Sequence, residues 1–207
     1  MFALKIAAGT VLMATAALWT LVDASRGRSV TAGFWFEPVT FTSAVLGPLT
    51  AADLAAIETV ARAEVVNAFA GLKIAITDRR EARYHVRVID HVRYYGTRRT
   101  TWVAGSAHAM PGFGGAGSVS FVYYASGALV HAPPEATRPE LIDAIGRGIG
   151  RGAVHEFAHQ FLPPGSVQHS RDRGSYEYYS ASRSEQYYGP MHWDVAGPLL
   201  AKRYGRH

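Results

Sequence analysis

Residues 141–161 read LIDAIGRGIGRGAVHEFAHQF, and the way that run folds decides what the rest of the chain can be. The pattern predicts a helix that starts near Thr137 to Glu140 and runs to the stop at Pro163-Pro164. Positions four apart share a helix face, so His155 and His159 would present both imidazoles to one point. Glu156 would project beside them, while Phe157 and Ala158 turn to the core. Gly146, Gly148, Gly150 and Gly152 lower the helix propensity, so this helix needs burial or close packing against a sheet.

Two histidines four apart with a glutamate after the first form the donor pattern of a hydrolytic zinc site. Zinc brings the pKa of a water toward neutrality, and Glu156 is placed to take that water's proton as a general base. A catalytic zinc keeps three protein ligands and one open position, so a third donor must come from downstream. His169 ranks first: it follows His159 by ten positions, just past a Pro-Pro-Gly turn that can reverse the chain. Asp172 ranks second as an oxygen ligand, ahead of Glu177, Glu185 and His192.

The chain has no cysteine, which excludes disulfides, thiolate nucleophiles, Cys-type zinc sites and a thiol switch for latency. Any metal site must therefore be built from His, Asp and Glu. Its 207 residues, 48% hydrophobic and 18% charged, are enough for one substantial core. The net charge of +5 comes from Lys and Arg scattered singly, without the dense basic run that would mark a nucleic acid as partner. Lys5, the apolar run 6–22 and the polar stretch 23–28 have the layout of a secretory signal, or of a short membrane anchor. The expected division is a signal peptide or anchor over 1–24 and one domain over 25–207, with no propeptide-length segment between them. The expected location is exported: periplasmic, secreted, or membrane-anchored through 6–22 and facing outward.

Within the domain, residues 25–49 mix aromatics, Gly and Pro without a helical period and predict a linker leading into a short strand or irregular segment. Residues 50–72 predict an amphipathic helix, with Thr50 and Asp53 at its start, Leu54, Ile57, Val60, Ala61, Val65 and Phe69 on one face, and Gly71 at its end. Strands are expected over 73–77 and 84–90. Between 101 and 125 two strand-like pieces flank a Gly- and Pro-rich loop over 111–117. The tail predicts a helix with Trp193, Leu199 and Leu200 on its apolar face and a kink at Gly197-Pro198. This order of elements points to a mixed α+β domain.

HEFAH followed by HSRD at 169–172, Gly174 and a Tyr-rich turn resembles the metzincin metallopeptidases, in particular the matrixin branch, with its HExxHxxGxxH and following serine. Ala107-His108-Ala109, Pro111-Gly112, Gly114-Gly115, Gly117 and Phe121 resemble the loop that precedes the matrixin active-site helix. The chain departs from the pattern at Leu162 and Gly165, where the family has glycine and its third histidine. His169 fits if the turn carries four extra residues. The family methionine would fall near 177, with Met191 as a later candidate, and Ser120 stands near the place of a second loop histidine, so no structural zinc is expected at His108. Asp172 followed by Tyr176 is similar to the aspartate-ligand zincins with the spacing off by one, a rival ligand scheme.

The resemblance implies a zincin-like fold: a small mixed sheet, a central HExxH active-site helix and a C-terminal helical subdomain. It implies a zinc metalloendopeptidase acting on a peptide or protein substrate. Gly105, Ser106, Ala107 and His108 would form an edge strand above the cleft that pairs with an extended peptide. Of the tyrosines, Tyr176 and Tyr178 stand closest to the expected ligands and are the candidates to donate to a developing oxyanion, unless they only pack the lower half of the domain. The rival reading is an inactive envelope protein that keeps the scaffold and binds a partner, for which a closed four-ligand site would speak. A hydrolase of cell-wall amides is a third.

Overall fold

The computed structural model describes residues 29–95, 100–110, 114–163 and 169–205; the signal-like segment 1–24 and its apolar run 6–22 lie outside them. Among the described residues no helix is long and apolar enough to cross a membrane. Val30–Phe36 forms strand β1, held between two parallel partners, Ile74–Thr77 (β4) and Tyr84–Ile89 (β5). The sequence predicts a linker leading into a short strand or irregular segment in this region, without placing the strand. The strand is hidden because Ala32 to Trp35 are all buried, so its apolar residues run on without the alternation of a half-exposed strand.

β5 pairs in parallel with Gly114–Ser120 (β9), and β9 pairs antiparallel with Gly105–Met110 (β8). The result is a five-stranded mixed sheet of order β4-β1-β5-β9-β8, with β8 at one edge. Two small ribbons accompany it: Thr42–Ser43 (β2) with Gly47–Pro48 (β3), and Val92–Tyr95 (β6) with Thr100–Val103 (β7). The loop expected over 111–117 is strand from Gly114 onward, and 111–113 fall outside the described residues.

Five helices pack on this frame among the described residues. The first, α1 (Ala51–Ala68), starts as the sequence predicts: Asp53 N–H donates to Thr50 Oγ1 (3.1 Å) and Thr50 N–H to the Asp53 carboxylate (2.8 Å). Ile57, Ala61 and Val65 are buried along its inner face. The second, α2 (Phe121–Val130), replaces the expected end of a strand. Ser120 makes the switch, since its hydroxyl accepts Tyr123 N–H (3.2 Å) while donating to the Asp90 carbonyl (3.0 Å). Phe121, Tyr124, Ala125 and Ala128 are its buried face, a helical spacing that an all-apolar run obscures.

The third, α3 (Arg138–Phe161), begins with Thr137 N–H on Glu140 (2.7 Å), and Arg138 reaches Asp53 (2.6 Å), tying the starts of α1 and α3 together. Nearly every residue of α3 from Leu141 on is buried. Close packing against the sheet is not what its glycines provide. A Cβ at Gly146 or Gly150 would run into α1, at Val60 and the Ile57 carbonyl or at the Ala61 carbonyl and Glu64. At Gly148 or Gly152 it would strike the rings of Tyr187 and Tyr124. On the sheet side Gln160 does the holding: its amide accepts His85 N–H (3.1 Å) and donates to His85 C=O (3.0 Å), in space that Gly115 and Gly117 leave open.

The fourth and fifth are Glu185–Tyr188 (α4), a single turn, and Ala196–Tyr204 (α5). Most of 169–195 is therefore turns and isolated bridges rather than the expected helical subdomain. Trp193 precedes α5 and donates its indole N–H to the Ala68 carbonyl (2.7 Å). Pro198 sits in the first turn of α5, where a missing N–H costs no helical bond.

Gly150→Val is expected to destabilise the fold by about 1–3 kcal/mol or more, because the new side chain meets α1 backbone, even though its helix propensity is better than that of glycine. Urea unfolding of the two proteins measures this; an unchanged midpoint would contradict the packing described.

Candidate functional site

The last two turns of α3 carry His155 and His159, and the chain returns after 168 to set His169 beside them. One ligand nitrogen from each of the three lies within 4.8 Å of the other two, close enough to bind a metal ion. His155 Nε2 and His159 Nε2 are 3.1 Å apart. In a tetrahedral site with metal–nitrogen bonds of about 2.0–2.1 Å, that separation is roughly 3.3 Å, so the pair is spaced for one ion. The His155 and His169 rings lie nearly parallel, at 8° and 5.3 Å between centroids.

His155 Nδ1 stands 2.8 Å from the Tyr176 carbonyl. A carbonyl can only accept, so Nδ1 carries the proton and Nε2 keeps its lone pair for a ligand. Burial pushes the His155 pKa down to about 3, with His159 and His169 adding to the effect. Burial, then His169, lowers His159 as well. Neutral imidazoles are the form that binds a metal, and the donor set of three nitrogens fits a borderline-soft cation better than calcium or magnesium.

The other downstream candidates are engaged elsewhere. Asp172 is exposed, with one oxygen 3.0 Å from His192 Nε2 and the other accepting Gly174 N–H (2.8 Å). Glu177 is fully buried and accepts from the Ser175 hydroxyl, Ala196 N–H and Asp194 N–H, the last at 2.9 Å. Glu185 is bound bidentately by Arg173 (2.7 and 2.9 Å). Among the described residues only His155, His159 and His169 converge as a group of three. The Met191 sulfur lies 4.0 Å from Arg183 Nη2, beside the tyrosines.

Glu156 is buried, and burial raises its pKa to about 8. Its carboxylate occupies the place where a Cβ on Gly105 would be, so the glycine at the start of β8 makes room for it. Two hollows meet at Gly105, His155 and Glu156. One, of about 590 Å3, runs under β8 and is lined by Ala107, His108, Ala109, His159 and His169. Ser106 belongs to the same strand without lining it. The other, of about 330 Å3, extends between Tyr123, Tyr124, Tyr178, Arg151 and Arg183.

Tyr176 serves the histidines through its main chain; its ring packs on Trp193 (4.9 Å), and burial, then the Glu64 carboxylate, raises its hydroxyl pKa. Tyr178 lines the smaller hollow, with its ring against Tyr179 (4.6 Å) and under the Arg183 guanidinium (4.6 Å). The sequence reading misses Arg151 and Arg183. Arg151 lies on the helix one turn before His155, and its bond to Glu64 (3.2 Å) bridges α3 and α1. That spacing was available as a signal. Arg183 gives none, because it comes from an irregular loop.

The chain matches no model of a known protein family, and a search of the curated proteins finds no match to it.

His169→Ala is expected to weaken metal binding by more than the roughly 10- to 100-fold that loss of an outer partner causes, while Asp172→Ala leaves it unchanged. Metal content after equilibrium dialysis distinguishes them, and equal losses in both would refute the placement. Glu177→Ala strands the buried Ser175 hydroxyl and Ala196 N–H at about 1–3 kcal/mol each, and thermal unfolding should show a large loss of stability.

Proposed function

We propose that this chain is an exported zinc peptidase of zincin architecture, similar to the matrixin branch of the metzincins, in which His155, His159 and His169 hold the ion. The observation that carries this reading is the convergence of three imidazoles beside a buried glutamate at the start of an edge strand. Zinc in such a site supplies Lewis acidity, polarising a carbonyl and lowering the pKa of water. The mixed sheet with its antiparallel edge strand β8 supports the architecture, and the layout of residues 5–28 supports export.

The chain's own groups supply the rest. An extended peptide adds to β8 by main-chain hydrogen bonds, which bring its carbonyl over Glu156 with little demand on its sequence. Glu156 takes a proton from the attacking water as the oxygen–carbon bond forms, then delivers it to the amine nitrogen as the carbon–nitrogen bond breaks. Tyr176 is a positioning residue, whose carbonyl fixes the tautomer and orientation of His155. The competing scaffold reading would be favoured by a fourth protein ligand. The engagement of Asp172 and Glu177 with other donors supports an open position instead.

Glu156→Gln is expected to cut hydrolysis of an unfolded protein substrate by about 100-fold or more while metal content stays at that of the parent. A zinc-loaded parent that is inert toward unfolded proteins, or a variant as active as the parent, would reject the reading.

A further inference from the structure

The smaller hollow holds a cation without a counter-charge. Arg183 is 1% exposed, yet no carboxylate among the described residues comes within salt-bridge distance of it. Its terminal nitrogens donate to the Ser180 (2.6 Å) and Ser175 (2.9 Å) carbonyls, its charge lies over the Tyr178 ring, and its Nε has no hydrogen-bond partner. Glu64 is committed to Arg151, Glu185 to Arg173, and Glu177 to main-chain and hydroxyl donors, and Glu156, on the wall of the same hollow, makes no ion pair with Arg183. Arg203 also has an unpartnered Nε, but it lines neither hollow. A buried guanidinium without an acid is costly, and such a residue at the wall of a cavity leaves that cost to be offset by a ligand.

The hollow is suited to such a ligand. About 330 Å3 is at the small end of ligand pockets, room for one side chain. Tyr123, Tyr178 and Gln186 add polar groups to its wall, and it opens onto the peptide path at Gly105, His155 and Glu156. We propose that this hollow is a specificity pocket for a carboxylate, which pairs with Arg183 while the neighbouring peptide bond lies at Glu156. The carboxylate is either an Asp or Glu side chain next to the bond that is cut or the free C-terminus of the substrate. This deepens the peptidase reading and rests on it for the position of the bond.

The zinc-loaded full chain is given a mixture of peptides with free C-termini and, separately, the same mixture amidated, and the cuts are read by mass spectrometry. A side-chain pocket predicts roughly tenfold more cutting beside Asp and Glu than beside Asn and Gln, in both mixtures. A terminus pocket predicts cuts next to the free C-terminus that vanish on amidation. Cutting indifferent to both overturns the proposal and leaves the peptidase standing.

A binding arm reads the pocket without catalysis. N-acetylglutamate amide should bind the parent about tenfold more tightly than N-acetylglutamine amide, with the difference lost in Arg183→Gln and partly kept in Arg183→Lys. Binding through the metal alone would persist in Arg183→Gln. Should the parent cut nothing, an acid preference that requires Arg183 keeps the pocket and rejects the peptidase, while equal binding of the two probes rejects the pocket. If Arg183→Gln fails to fold, as its melting curve would show, the cleavage preference of the parent still decides.

Discussion

Helix α3 is buried along most of its length, and it can be so only because glycine faces its neighbours where any larger residue would hold them off. Helical geometry sorts the four glycines into pairs: Gly146 and Gly150 admit α1, while Gly148 and Gly152 admit the rings of Tyr187 and Tyr124. Interiors this dense transmit displacement rather than absorb it. The orientation of His155 and His159 is thereby inherited from contacts two and three turns away. Gly105 extends the same device to the sheet, where the edge strand comes down onto Glu156.

What α3 cannot position is the third histidine, and here the constraint passes to a polar anchor. The segment from His169 to Tyr178 has almost no regular structure. Glu177, buried without a cation, gathers the Ser175 hydroxyl and the N–H groups of Asp194 and Ala196 around its two oxygens. Charge-assisted bonds of this kind are short and directional, so they can fix a loop that has few apolar contacts of its own. The residue before it, Tyr176, holds His155 through its carbonyl. One buried carboxylate thus steadies the segment that orients His155 on the helix.

How much of this could be read from the chain depended on whether a pattern was local. The starts of α1 and α3 were legible because Thr50 with Asp53 and Thr137 with Glu140 satisfy backbone groups within one turn. His155, Glu156 and His159 were legible as a group for the same reason, and His169 could be ranked first from a turn and a distance. Strand β1 could be expected only as a short strand or irregular segment somewhere in 25–49, because burial on both faces erases alternation, and α2 was lost because one serine separates two apolar runs of different period. The glycines pointed to burial or to close packing against the sheet; burial holds, but the neighbours are α1 and two tyrosines, because a glycine carries no record of what it meets. Arg183 and the engagement of Glu177 depend on residues brought together only by the folded loop, and no spacing in the sequence encodes them.

Strand β8 ends the sheet, and its outer edge has no partner strand among the described residues. Natural proteins commonly blunt such edges with lysine, proline or an inward charge, whereas Gly105–Ala109 is made of small residues and one histidine. A ladder left open for an extended guest is equally open to a second copy of itself. Crowding of this protein would therefore favour self-association through that row of amides, so its solubility depends on what covers this one edge.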